Sequence, residues 1–227
     1  MQELLNKVEA FVSEEFKKPV WKDFDYHNSS HTLQVVEEVR QLGKLTKLSD
    51  TQMFELEIAA WFHDLGYSEG VEGHENISAS IAENYLKEHS CPPQTVESVK
   101  SLIYATNPSF TDYQSISQKL IRDADLSNAG LEEFIKWNSK LRKEWSQKLS
   151  REFTDNEWEI AQYEYLNSLK YLSEAAKARY NKVKEQNLDF YKGRVLESDN
   201  KSTKSISYNY LFFFLFLLIC ILFFWLK

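Results

Sequence analysis

The residues best suited to chemistry in this chain are few enough to name. There are five histidines, His27, His31, His63, His74 and His89. His63 stands beside Asp64 at the end of an apolar run, in Ala59-Ala60-Trp61-Phe62-His63-Asp64-Leu65-Gly66-Tyr67. Burying such a pair is costly unless something satisfies it. A divalent cation would, because imidazole nitrogen and carboxylate oxygen are both good ligands for zinc, iron or manganese. His31 opens another segment and shares a helical face with Val35, Val39 and Leu42. A second group of carboxylates interrupts the apolar stretch Ile121-Arg122-Asp123-Ala124-Asp125-Leu126. On a helix Asp123 and Asp125 project about 200° apart, so one ion cannot draw on both, and spacing alone leaves the choice open.

The elements that must position these residues read as helices almost throughout, an all-α fold. An amphipathic N-terminal helix carries Leu4, Val8, Phe11 and Val12, and it lacks the apolar core of a signal peptide. Ser29 or Ser30 can cap a helix running from His31. The next, over about 51–65, is apolar nearly all round and should be central. Gly66, Gly70 and Gly73 then mark a loop, with Gly66 as a helix cap. Helices follow over 77–87, 95–106, about 116–130 and 131–149, bounded by Cys91-Pro92-Pro93 and Asn107-Pro108. Thr154-Asp155-Asn156-Glu157 is a capping-box pattern opening one long helix through Trp158, Ala161, Tyr165, Leu169, Leu172, Ala176 and Tyr180. That helix is also the surface through which a second copy of the chain could pair.

His31, then His63-Asp64, then a distant Asp after an apolar run resembles the HD superfamily of metal-dependent phosphohydrolases. Two further segments, Tyr26-His27-Asn28-Ser29-Ser30-His31-Thr32 and Gly73-His74-Glu75-Asn76-Ile77-Ser78-Ala79, are similar to corresponding segments of small bacterial HD proteins. The likeness spans about residues 5–180. It implies an all-α HD-domain helical bundle and one divalent metal ion (Mn, Fe, Co, Ni, Mg or Zn) held by His31, His63, Asp64 and a fourth ligand. The family's Ala-Asp context favours Asp125 for that place, with Asp123 as the alternative. His74 and Glu75 are then the catalytic candidates, His74 to bind phosphate or orient water and Glu75 as a general base. For His27 a hydrogen bond at the helix start is as good a reading as any role in the site. Arg122 reads as a salt-bridging residue rather than a phosphate clamp, and His89 as a surface residue.

Composition bounds the rest. The chain has 227 residues, 43% hydrophobic, with only two cysteines, Cys91 and Cys220, so neither a disulfide framework nor a four-cysteine zinc site is open to it. A net charge of −7 gives no field to attract nucleic acid. The last residues are unlike all others: Tyr210–Leu226 reads YLFFFLFLLICILFFWL without a charge. As a helix this stretch would span about 25 Å, near the lower limit for a bilayer. Tyr208, Tyr210 and Trp225 sit where interfacial aromatics belong. The expected organisation is thus an HD-type metal-binding domain over 1–188, a polar linker over 189–207 and a transmembrane helix over 208–227, with the domain on the cytoplasmic side. The resemblance implies hydrolysis of a phosphomonoester or phosphodiester, nucleotide-like in class. The competing expectation is a nucleotide-sensing membrane effector, since similar modules joined to membrane segments occur in bacterial signalling and in Pycsar anti-phage systems.

Overall fold

The computed structural model describes residues 1–201, and all regular structure among them is helical. The helices are α1 (Gln2–Glu15), α2 (Ser29–Thr46), α3 (Asp50–Phe62), α4 (His74–Glu88), α5 (Pro93–Tyr104), α6 (Ile116–Asp125), α7 (Phe134–Lys148), α8 (Asp155–Ser168) and α9 (Glu174–Lys201). Short 3-10 turns at Pro19–Asp23, Leu65–Ser68 and Ser127–Gly130 join them.

Helix α3 is the hub, because its apolar residues cover every face. Leu56, Ile58, Ala59, Ala60 and Phe62 are all fully buried, and α1, α2, α4, α5 and α6 pack around them. Burying apolar surface on all sides is what draws five helices onto one. Helix α2 contributes Val35, Val39 and Leu42, and α6 contributes Leu120, Ile121 and Ala124, all without exposed surface. These three helices therefore meet along their apolar faces, and the polar residues at their ends are brought together with them.

Several boundaries differ from the sequence reading, each for a local reason. Neither Ser29 nor Ser30 caps α2. Asn28 does, accepting from the Ser30 N–H at 2.9 Å while its amide donates to the Phe24 and Asp25 carbonyls at 3.0 and 2.9 Å. Gly66 is not a left-handed cap. It lies in the turn after α3, where a Cβ would collide with the His74 carbonyl, and its N–H donates to Ser78 Oγ at 2.8 Å. The loop instead ends at Gly73, whose φ of 70° is left-handed and which leads directly into α4. His74 and Glu75 thus form the first turn of that helix.

The long C-terminal helix is two helices. Leu169 leaves α8 in an extended conformation, and α9 restarts at Glu174. Buried Asp123 causes the break: it accepts from the Leu172 N–H at 2.8 Å, the Ser173 N–H at 2.7 Å and the Ser173 hydroxyl at 2.8 Å. Those N–H groups are unavailable to a continuous helix. The Thr154 capping box at the start of α8 is as expected. Helix α9 continues through residues 189–201, the first part of the expected linker. No helix among the described residues is long and apolar enough to cross a membrane. The expected span over 208–227 lies outside the described residues.

Candidate metal centre

Four of the sequence-predicted residues converge at the junction of α2, α3 and α6. His63 follows the last residue of α3, and its Nδ1–H donates to the Ala60 carbonyl at 2.8 Å. That bond makes Nδ1 a donor and turns Nε2 into the cluster. Asp64 comes next, with φ −107° and ψ 0°, in the sparsely allowed bridge region where many active-site residues sit. His31 projects from the first turn of α2, and Asp125 from the last turn of α6.

The distances among them match the edges of one coordination polyhedron. His31 Nε2 lies 3.1 Å from Asp125 Oδ1 and 3.4 Å from Asp64 Oδ2. His63 Nε2 lies 3.2 Å from Asp64 Oδ2 and 3.5 Å from Asp125 Oδ1. Ligands about 2.1 Å from a common ion are separated by roughly 3.0–3.4 Å in octahedral and tetrahedral geometry. One ligand atom each from His31, His63 and Asp125 falls within 4.8 Å of the others, and Asp64 borders both histidines. His63 Nε2 and Asp64 Oδ2 are buried close together yet neither has a hydrogen-bond partner. Leaving both unsatisfied is expensive, so this donor set fits a divalent cation.

Without a cation the cluster is held by opposite charges. Burial alone would raise Asp64, but the His63 and His31 charges hold its carboxyl far below the ordinary value. Asp125 is likewise pushed up by burial and pulled well down by the His31 hydrogen bond and by His63. Burial opposes a charge on His63, yet Asp64 and Asp125 together raise its pKa well above the usual 6.5. Both carboxylates are therefore ionised at neutral pH, as ligands must be.

Of Asp123 and Asp125, it is Asp125 that lies in the cluster. Asp123 is fully buried and turned the other way, engaged with the break between α8 and α9. Arg122 donates to the Lys170 carbonyl at 2.6 Å and lies 3.4 Å from Asp123, away from the cluster. His89 stacks on Tyr85 at 4.3 Å and takes no part.

His74 and Glu75 border the cluster. His74 Nδ1–H donates to the Val71 carbonyl at 2.9 Å, which turns Nε2 toward Asp64 Oδ1 and Glu75 Oε1, each 3.6 Å away. Glu75 is 1% exposed, and neither carboxylate oxygen has a hydrogen-bond partner.

Three residues of this wall were missed from sequence. Tyr67 stacks against His27 at 4.0 Å and packs against His74 at 3.9 Å with the rings tilted by 34°. Tyr26 packs on the His31 ring at 5.0 Å, its hydroxyl accepting from Asn128. Glu144, on α7, takes the His27 ring. Tyr26 stands beside His27 and Tyr67 closes the His63-Asp64 segment, so their places next to residues already singled out were the available signal. Glu144 gave none, lying 117 positions from its partner.

The family model of the HD domain matches residues 28–130, a segment that contains all four converging residues together with His74 and Glu75. No curated protein and no solved structure matches the chain.

Proposed function

We propose that this chain, whose residues 28–130 form an HD domain, is a membrane-anchored phosphohydrolase that cleaves a phosphomonoester or phosphodiester of nucleotide-like class. The observation that carries this reading is the convergence of His31, His63, Asp64 and Asp125 with unsatisfied buried donor atoms, beside a buried and unpartnered Glu75. These four side chains would hold the cation. A divalent cation in such a site supplies a water of lowered pKa and polarises a phosphoryl oxygen.

The chain's own residues supply the remainder. Glu75 accepts the proton of the attacking water, which the absence of hydrogen bonds to its two oxygens leaves it free to do. His74 Nε2, held by the Val71 carbonyl, faces the same space and orients that water or a phosphoryl oxygen. As the P–O bond to the leaving group breaks, the proton returns to the departing oxygen. The rings of Tyr26 and Tyr67 border the site and pack against its histidines, which holds those rings in place. Residues 208–227 are the proposed bilayer span.

The test uses the full chain in detergent, loaded in turn with Mn, Fe, Co, Ni, Mg and Zn and offered a panel of nucleoside mono-, di- and cyclic phosphates. Turnover should appear with at least one metal and vanish in the His63→Ala, Asp64→Ala double variant. Equal turnover by that variant would sink the reading.

A further inference from the structure

The segment Glu69–Gly73 joins the Leu65–Ser68 turn to α4, and residues of the site stand at both its ends. Tyr67 lies in the turn before it, and His74 is the first residue after it. Those ends are anchored. The Tyr67 N–H donates to the Asp64 carbonyl, the Glu69 N–H to the Gly66 carbonyl and the Asn76 N–H to the Gly73 carbonyl, each at 3.0 Å. Between the anchors the chain is held by almost nothing. Among the described residues, Gly70, Val71 and Glu72 enter no backbone–backbone hydrogen bond. The one bond they receive comes from the His74 ring, whose Nδ1–H donates to the Val71 carbonyl at 2.9 Å.

The side chains agree with this. Glu69 and Glu72 are exposed, and between them Val71 presents an apolar side chain that is 39% exposed. A Cβ at Gly70 would meet nothing within 4 Å, and its φ is not positive, so neither crowding nor a left-handed backbone demands glycine there. What glycine supplies at such a position is backbone freedom.

The single bond ties this loose segment to a residue that the proposed chemistry uses. It turns His74 Nε2 toward Asp64 Oδ1 and Glu75 Oε1, each 3.6 Å away. Lifting the segment takes away the carbonyl that holds the ring, and one neutral hydrogen bond biases such an equilibrium by only about 2- to 10-fold. A ligand engaged at Nε2 fixes the ring from its other edge, and by linkage it favours the state in which the Val71 bond is made.

We infer that Glu69–Gly73 is a lid on the site, hinged at Gly70 and Gly73, and that the Val71 carbonyl is the positioning group that latches it to His74 and aims that ring at the substrate. The lid rests on the phosphate-ester reading of the same site. Closed, it sets His74 and keeps bulk water from the bound ester. Open, it admits substrate and leaves the ring unheld, so its motion gates turnover.

The experiment is limited proteolysis of the full, Mn-loaded chain in detergent with a protease that cuts after glutamate. Glu69 and Glu72 put a cleavable bond on either side of Val71. Cleavage there should be ~5-fold faster in His74→Ala, which removes the latch. Inorganic phosphate should slow it in the wild type and not in His74→Ala. Cleavage at Glu83, inside α4, should stay unchanged, which a general loss of structure would not allow. Gly70→Ala should slow cleavage of the segment and leave the melting temperature unchanged or raised. It should also lower turnover of the best ester by ~5-fold or more, with cation affinity within about twofold. Should His74→Ala not fold, Gly70→Ala makes the comparison by itself. Equal cleavage of wild type and His74→Ala overturns the latch, and undiminished turnover in Gly70→Ala overturns the lid. Both results leave the phosphohydrolase reading standing, because the four ligands and Glu75 are untouched. A wild type that turns over no ester overturns that reading instead, and cleavage of His74→Ala still decides the latch.

Discussion

Asp125 bonds His31 at 3.1 Å and faces the ligand cluster, whereas Asp123 is committed to Leu172 and Ser173. Substituting the two should therefore have opposite effects. Asp125→Ala is expected to weaken metal binding more than ~100-fold, beyond what losing an outer partner costs, with little change in the metal-free melting temperature. Asp123→Ala should cost about 2–5 kcal/mol in chemical denaturation, by orphaning buried donors, while metal affinity per folded molecule is kept. Equilibrium dialysis alongside urea melts would separate them. Glu144 yields a pH prediction. Its folded pKa lies below the ordinary 4.5, so its stabilisation is full above pH 4.5 and is lost as pH falls through the folded value. Glu144→Gln should accordingly flatten the acid limb of the stability profile, and an unaltered limb would count against the buried pairing. His63-Asp64 was legible because a His–Asp pair in an apolar run has few ways to be satisfied. Glu144 was not, because α7 reads as an ordinary charged helix, FIKWNSKLRKEWSQK, until folding sets it against His27.

Each element end at the site is fixed by a specific contact, and these contacts set what can be changed. Gly66 passes so close to the His74 backbone that a side chain does not fit. Gly66→Ala should lower stability by about 1–3 kcal/mol as an overpacking change. It should also displace the first turn of α4, so turnover falls further than metal affinity, because His74 and Glu75 move while the four ligands do not. Equal losses of both would argue that the turn supports the whole cluster instead. Helix positions were readable from periodicity: α2, α3 and α6 carry their apolar residues at helical spacing, and the caps at Ser49, Ser115 and Thr154 are side-chain caps of the usual kind. The break between α8 and α9 was hidden. Local spacing runs unbroken from Trp158 to Tyr180, and it is Asp123, almost fifty positions away, that removes the two N–H groups. A tertiary carboxylate outweighed the local pattern.

At the scale of the molecule, α9 runs from its packing on α8 and on the 127–130 turn out to Lys201, toward the uncharged stretch at 210–226. The proposed anchor predicts that the full chain co-sediments with liposomes and resists alkaline carbonate extraction, while a chain ending at Lys201 stays in the supernatant. Release of the full chain by carbonate would refute the span. The net charge of −7 fits a domain that meets its substrate through a local cation rather than a basic surface. Loading that cation should satisfy His63 Nε2 and Asp64 Oδ2 together, and binding to the folded state alone stabilises it. The most direct measurement is therefore a metal titration of the metal-free full chain in detergent, following phosphate release from the best ester of the panel. Release should be absent without metal, rise with added cation to a plateau near one equivalent, and stay at background in Asp125→Ala. Hydrolysis that is independent of metal, or equal in Asp125→Ala, would contradict the account.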